Sequence, residues 1–361
     1  MKIAVITADR KQGGLLLAFV NYIDCLADLG HEVAIVVPRG AEHLRAALAD
    51  RFGSRFAVQL LSAADIEIVR RLGVTPPALN DLLRSQDALL SHNSFLCRAL
   101  ARTGVPLITV CHSDKWKGTA CADAVVFLSD IAAARFVQDP KRPETIGRRR
   151  EQRFVLPNYY AAAPGPNPYP DKPAEPFVVC AAGRFVRNKG FRDFIGAAGR
   201  LKAEGHAIRF LLAGQGEEEK ALRGLSQASG ADVEFLGWTD IDALAARSHV
   251  FCLTSEEEPF GFVLCEMMDR GMPCVSTVTN GPWDILDHGE AGLIYPMGDA
   301  GALADRIREL YLSPKRRLEM SNKAFERIRT PTFSKAVFTE RLETVIGQVT
   351  RAGHRATRGD R

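Results

Sequence analysis

Six prolines fall within the sixteen residues from Ala161 to Pro176, AAAPGPNPYPDKPAEP. Proline lacks the backbone N–H and fixes φ, so no helix interior and no central strand crosses this stretch. On both sides the chain returns to one pattern, short apolar runs alternating with helical periodicity. Met1 to Ile6 is strand-like, and Gly13-Gly14 follows it. Apolar residues then recur at Leu16, Phe19, Val20, Ile23, Leu26 and Leu29, a helical spacing closed by Gly30. Val33 to Val37 reads as a buried strand, which completes a βαβ unit. Further strand-like runs lie at 87–91, 105–111 and 123–128. After the prolines the alternation restarts at Phe177–Ala182 and Ile208–Ala213, with strands near 232–236, 249–253, 273–277 and 292–295, and 299–349 is helical throughout. The pattern predicts two doubly wound α/β domains with Rossmann-like parallel sheets facing each other across a cleft. Expected boundaries are 1–165, 166–331, and 332–361 for a last helix that crosses back to the first domain and a basic tail. Ligands in such sheets bind at the carboxyl ends of the strands, so the cleft is the expected site.

A chain of 361 residues, 46% hydrophobic and 25% charged, has globular composition and needs no disulfide or metal staple. The net charge is unevenly spread: +5 over 1–165, −4 over 166–349 and +3 over 350–361. A basic first half suits an anionic partner, whether a membrane surface, a phosphorylated lipid or a nucleic acid, and plain scatter in surface charge is the alternative. The apolar start reaches Asp9 too soon for a signal peptide, and no run of 18 apolar residues occurs. None of the eight cysteines forms a C-x-x-C pair, and most sit in apolar runs. These features predict reduced thiols and a cytoplasmic protein, at most peripheral at a membrane.

Two segments carry charge where a ligand would sit. In Ser255-Glu256-Glu257-Glu258-Pro259-Phe260-Gly261-Phe262, a strand enters an acidic loop and a helix begins near Phe262. The first turn of that helix offers free N–H groups to a phosphate. Glu266, one turn further in, suits a vicinal diol such as ribose, and Glu258 suits sugar hydroxyls. A solvated acidic loop ahead of a helix is the alternative. In Gly183-Arg184-Phe185-Val186-Arg187-Asn188-Lys189-Gly190, three cations follow a strand end, where they can neutralise a leaving diphosphate. A basic surface turn is the alternative there.

Taken together, these residues resemble the retaining family-four glycosyltransferases, which have the two-domain GT-B fold. The resemblance rests on Gly183-Arg184 with Lys189-Gly190, Leu212-Ala213-Gly214-Gln215-Gly216, and Phe235-Leu236-Gly237-Trp238. It continues through Glu258-Pro259-Phe260-Gly261 with Glu266 eight positions on (E-x(7)-E), Gly271 to Val275, Gly281-Pro282 and Gly292-Leu293. The first domain matches less fully, through Gly13-Gly14, Leu29 to Val33, His112 and Pro157-Asn158, and 40–90 matches nothing. The resemblance implies a nucleotide diphosphate sugar as donor and a glycan or glycolipid hydroxyl as acceptor, in lipopolysaccharide or other envelope synthesis. Arg184 and Lys189 would bind the diphosphate and stabilise its charge as the sugar bond breaks. Gly183 belongs to the same phosphate motif, and Gly237 to the loop near the base. Glu266 would hold the ribose, and Glu258 with the backbone of Phe260, Gly261 and Phe262 the donor sugar. Gly13 and Gly14 would let the chain approach the diphosphate, and His112 would lie near the sugar and the incoming hydroxyl. The leaving phosphate would assist deprotonation on one face of the sugar, with no cofactor and no metal for chemistry.

Competing readings meet obstacles. A nicotinamide dehydrogenase needs G-x-G-x-x-G at the first strand end, where Lys11-Gln12-Gly13-Gly14 stands. Asp240-Ile241-Asp242 has the letters of a metal-binding D-x-D but reads as a helix cap. His92, after an apolar strand, reads as a satisfied loop histidine, and His31 as structural. The basic run Arg148–Arg153, with Lys141 and Arg142, suits either anionic lipid or solvent, and lacks the interleaved aromatics of a nucleic-acid site. A nucleotide-sugar epimerase or a non-catalytic binding relative shares the fold. The E-x(7)-E signature argues against the first, and retention of Arg184, Lys189 and Glu266 against the second.

Overall fold

The computed structural model describes residues 1–10, 13–113, 118–139, 152–171 and 176–359. They fall into two compact units, Met1–Tyr159 with Ser334–Arg361, and Tyr160–Phe333.

In the first unit strands and helices alternate: β1 Lys2–Ile6, α1 Gly14–Asp28, β2 Glu32–Pro38, α2 Glu42–Phe52, β3 Val58–Leu61 and α3 Ala63–Leu72. Then come α4 Pro77–Arg84, β4 Ala88–Ser91, α5 Cys97–Leu100, β5 Leu107–Cys111, β6 Ala124–Phe127, α6 Asp130–Gln138 and β7 Arg153–Val155. The strands form one sheet in the order β3-β2-β1-β4-β5-β6-β7, and every pairing is parallel. β4, β5 and β6 are buried at every position, which explains why they read as unbroken apolar runs. Local chemistry fixes several boundaries. Ser62 and Asp65 form a reciprocal capping box on α3, Ser129 caps α6, and Gly30 takes the left-handed φ of 74° after α1. The stretch 40–90, without a family motif, holds ordinary elements that add an edge strand and its covering helices.

The second unit follows the same plan: β8 Phe177–Ala182, α7 Phe191–Ala203, β9 Ile208–Ala213, α8 Glu219–Ala228, β10 Glu234–Gly237, α9 Ile241–Ala246 and β11 Val250–Leu253. It continues with α10 Phe262–Asp269, β12 Cys274–Thr277, α11 Asn280–Ile285, β13 Leu293–Tyr295, α12 Ala300–Leu312 and α13 Pro314–Arg327. Its parallel sheet runs β10-β9-β8-β11-β12-β13. The order reverses at β8 and β11, the switch point where the carboxyl-end loops diverge. The core packs Phe177, Phe194, Phe210 and Tyr295 with the buried faces of α7 and α12.

The proline-rich segment packs on this second unit as far as it is described. Asp269 Oδ2 accepts from the Tyr160 hydroxyl (3.1 Å) and the Ala163 N–H (3.1 Å), and Arg329 ion-pairs with the same carboxyl group at 2.6 Å. Asn167 donates to Ser321 Oγ (2.9 Å), and the Tyr169 hydroxyl donates to the His249 carbonyl (3.0 Å). The contacts therefore divide the chain at 159/160, ahead of the prolines, and again at 333/334.

The last helix, α14 Lys335–Gly359, belongs to the first unit. Phe338 sets its ring edge-on to Tyr22 (5.0 Å) and Tyr159 (5.4 Å). Lys335 Nζ lies 2.5 Å from Asp24 and 2.7 Å from Asp28, while Asp24 also accepts from Arg51 (2.8 Å) and the Tyr159 hydroxyl (3.1 Å). No described helix is long and apolar enough to cross a membrane. All eight cysteines are free, and all but Cys121 are buried. The basic residues from Lys141 to Arg150 lie outside the described residues, whereas Arg153 begins β7.

Candidate active site

Charged side chains gather at the carboxyl edge of the second sheet. β8 ends at Ala182, and Gly183 leads into the loop Arg184–Gly190, which carries a short 3-10 turn over Arg187–Lys189. Gly190 has φ 62°, and a Cβ there would meet the Thr254 carbonyl oxygen at 2.0 Å. Only glycine lets the two strand-end loops touch. The contact is sealed by the Thr254 hydroxyl donating to the Lys189 carbonyl (2.8 Å) and the Glu256 N–H to the Asn188 carbonyl (2.8 Å).

This approach aligns the two motifs. Lys189 Nζ lies 2.5 Å from Glu258 Oε2, and Ser255 Oγ donates to the same oxygen at 3.2 Å. Both charged side chains are largely shielded, at 21% and 12% exposure, so the pair is screened less than a surface ion pair. Thr277, at the end of β12, donates to the Ser255 carbonyl (2.6 Å), and the Gly281 N–H donates to the Glu258 carbonyl (3.1 Å). A Cβ on Gly281 would meet the Phe260 carbonyl oxygen at 2.1 Å, a second close approach that requires glycine. Arg184 and Arg187 are exposed and have no ion-pair partner among the described residues, so they are free to meet an anion.

Gly261 precedes α10 with φ 107° and makes no side-chain cap, which leaves the first N–H groups of that helix unclaimed by a side chain. The rings of Phe260 and Phe262 are buried and meet edge-on at 4.9 Å, so only their backbone is available to a ligand. Glu266 follows on α10, half-buried. Burial raises its pKa, against the pull of Arg270, and its carboxylate accepts no hydrogen bond among the described residues. Gly237 ends β10 at φ 71°, and its carbonyl accepts from the Gly214 N–H (2.7 Å). Asp240 caps α9 by accepting from the Ala243 N–H (3.0 Å), and Asp242 pairs with Arg270 at 2.5 Å, so the D-x-D letters serve a helix cap and an ion pair. Among the described residues no group of three or more His, Cys, Asp or Glu is placed to hold a metal.

In the first unit, Gly13 precedes α1 with φ 150°, open space lies where its Cβ would be, and Gly14 is the first helical residue. His112 follows β5 and is partly exposed; burial of the ring depresses its pKa to about 4. The feature missed from sequence is its partner. His92, expected to be a satisfied loop histidine, is buried at 2% exposure, and its Nδ1 lies 2.8 Å from His112 Nε2. Burial and the neighbouring His112 hold the His92 pKa well below the ordinary value, and His92 Nε2 has no hydrogen-bond partner among the described residues. Ring identity alone carries no signal for such a pair; the adjacency of β4 and β5 creates it.

Comparison with known proteins places this geometry. Residues 169–327 match the family of glycosyl transferases group 1. LpsE of Rhizobium meliloti, a lipopolysaccharide core biosynthesis glycosyltransferase, is 34% identical over 173 residues, 47% of this chain and 49% of LpsE. LpsD of the same organism, of like description, is 32% identical over 189 residues, 51% of this chain and 54% of LpsD. The chain thus aligns with about half the length of these relatives. Among solved structures, Anabaena HepE in complex with UDP and glucose superposes with a TM-score of 0.78 at 19% identity, covering 96% of this chain and all of HepE. Sucrose-phosphate synthase from Thermosynechococcus elongatus gives 0.75 at 18% identity, covering 97% and 99%. The fold is GT-B.

Proposed function

From the premise that residues 169–327 belong to the group 1 glycosyl transferases and that both sheets have the GT-B fold, we propose that the chain is a glycosyltransferase. It moves a sugar from a nucleotide diphosphate donor to an acceptor hydroxyl, with retention of configuration. The observation that carries this reading is the pairing of Lys189 with Glu258, together with the carboxylate of Glu266 on α10, which accepts no hydrogen bond among the described residues. A half-buried carboxylate without a donor calls for a ligand that supplies two hydroxyls, and a ribose diol does so. Arg184 and Lys189 then face the diphosphate, and their charge stabilises the leaving group. Glu258, positioned by Lys189 and Ser255, meets the sugar hydroxyls.

The reaction needs no protein nucleophile and no metal in this reading, since fixed cations take the place of a bound ion. The names of LpsE and LpsD support lipopolysaccharide core synthesis as the setting. The excess positive charge of 1–165 supports a phosphorylated, membrane-borne acceptor met from the cytoplasmic side.

Thermal melting with UDP, GDP, ADP and their sugar conjugates, with and without EDTA, tests the reading. One nucleotide series should stabilise the protein by about 2.7 kcal/mol at a hundredfold excess over its dissociation constant. EDTA should leave that shift intact, and Glu266→Gln should shrink it. A response to NAD alone, or to no nucleotide, would overturn the proposal.

A further inference from the structure

His92 and His112 leave adjacent strands, β4 and β5, at the same sheet edge. The backbone of His92 is held by its N–H donating to the Ile6 carbonyl (2.9 Å). The next residue, Asn93, accepts from the Ala8 N–H (2.7 Å) and the Thr7 hydroxyl (3.1 Å). The two ring planes are inclined by 19° and the centroids lie 5.0 Å apart, which matches the 2.8 Å between nitrogens plus the two ring radii. The contact is therefore a hydrogen bond in the ring planes, and it holds one proton.

Which ring donates is decided at the far side of His92. Its Nε2 is buried without a partner among the described residues, and its ring meets Phe19 (5.1 Å) and Tyr22 (5.0 Å) edge-on. If His112 donated, the proton of neutral His92 would sit on Nε2 as a buried N–H with no acceptor. If His92 donates from Nδ1, Nε2 keeps only a lone pair. An unmet buried acceptor is the commoner and cheaper defect. Protonating both nitrogens would place a cation against aromatic walls.

We propose that His92 is a positioning residue that donates its Nδ1 proton to His112 Nε2 and so fixes His112 with its own proton on Nδ1. His112 then meets its ligand as a hydrogen-bond donor to an oxygen and not as a base. His112 Nδ1 has no partner among the described residues, so that donor is free for the ligand. The ligand class follows: an oxygen of the sugar or of its phosphate, never a hydroxyl that must lose its proton to this ring. The role at the ligand rests on the glycosyltransferase reading, whereas the tautomer does not.

The test uses the full chain with 15N-labelled histidine and long-range 1H–15N correlation, assigned with His112→Gln and His92→Phe. Wild-type His112 should show a protonated Nδ1 and a bare Nε2. His92→Phe, which cannot donate, should return His112 to the Nε2–H form. His92→Asn, whose amide nitrogen stands near the position of Nδ1, should preserve the Nδ1–H form. An Nε2–H form in the wild type, or no change in His92→Phe, would overturn the assignment. With the nucleotide sugar that gives the largest melting shift, sugar release should fall about tenfold in kcat for His92→Phe and recover in His92→Asn. Equal loss in both variants would make His92 merely structural. A glycosyltransferase reading that fails shows itself separately, as absent nucleotide binding with the tautomer intact.

Discussion

The two units share one plan and treat charge in opposite ways. At the carboxyl edge of the second sheet cations and carboxylates gather: Lys189 is paired with Glu258, Arg184 and Arg187 have no ion-pair partner among the described residues, and Glu266 is half-buried on α10. At the corresponding edge of the first sheet stand two histidines kept neutral by burial, His92 also by the neighbouring His112. The doubly wound fold supplies only the location. In both units polar bonds tie the loops, as between Thr254 and Lys189 or between Ala8 and Asn93, but around His92 aromatic rings wall the site as well. One edge presents charged groups, and the other a neutral pair of rings.

The contrast is open to attack, most forcefully through the helix that closes the first unit. Phe338 is buried at 2% exposure between Tyr22 and Tyr159. Phe338→Ala should cost about 3–5 kcal/mol. A thiol-labelling pulse along a urea titration reads the units separately. Cys25, Cys97 and Cys111 should label at lower urea, with Cys180, Cys252 and Cys274 unchanged. Simultaneous labelling of both sets would show that the units do not unfold independently. Next in size, Lys189→Met removes a fixed cation and should slow turnover of the preferred nucleotide sugar 10²–10³-fold, about 3–4 kcal/mol. It should also lower stability, because Glu258 loses its partner. Adding Glu258→Gln should restore the stability and leave turnover low; recovered turnover would remove Lys189 from the chemistry.

Acid should separate the units by sign. His112 titrates near 4 when folded and near 6.5 when unfolded, and His92 is depressed in the same direction. Between those values the unfolded chain binds more protons, so stability present above pH 6.5 is lost as the pH falls towards 4. His112 alone contributes on the order of 3 kcal/mol. Burial opposes ionisation of Asp24, yet its bonds to Arg51 and Lys335 hold its pKa below the ordinary value, and its share is lost at still lower pH. In the second unit, burial raises the pKa of Glu266 and Asp193, so these groups favour the folded state as pH falls. Urea unfolding at pH 7.5 and 4.5 with the same pulse should therefore bring labelling of the first unit forward. Earlier labelling of the second unit at pH 4.5 would contradict the titration argument.

Much of the second unit was legible in advance because its contacts depend on glycines at fixed places. Gly190 and Gly281 admit carbonyl oxygens where no other residue fits, so the motifs that contain them also mark which loops touch. Asp240 was legible as a cap because the N–H it serves lies three residues on. The His92–His112 bond was not legible, since it spans twenty residues and two strands with no local pattern. The first boundary moved for a similar reason. Prolines announce the absence of helix and strand, but Tyr160, Asn167 and Tyr169 find partners 80 to 154 residues further along the chain. Long-range polar bonds of this kind decide which body a linker joins.

The split make-up of the first unit has a consequence for the order in which the protein matures. Residues 160–333 are contiguous, and the ribosome delivers all of that unit before Lys335 appears. At about 5–20 residues per second, its 174 residues take roughly 10–35 s to synthesise. Through that interval Tyr22, Tyr159 and Asp24 wait without the helix that covers them. The half that is translated first is thus the half that is finished last. A nascent chain stalled short of residue 334 would expose an aromatic face that holding chaperones are suited to shield.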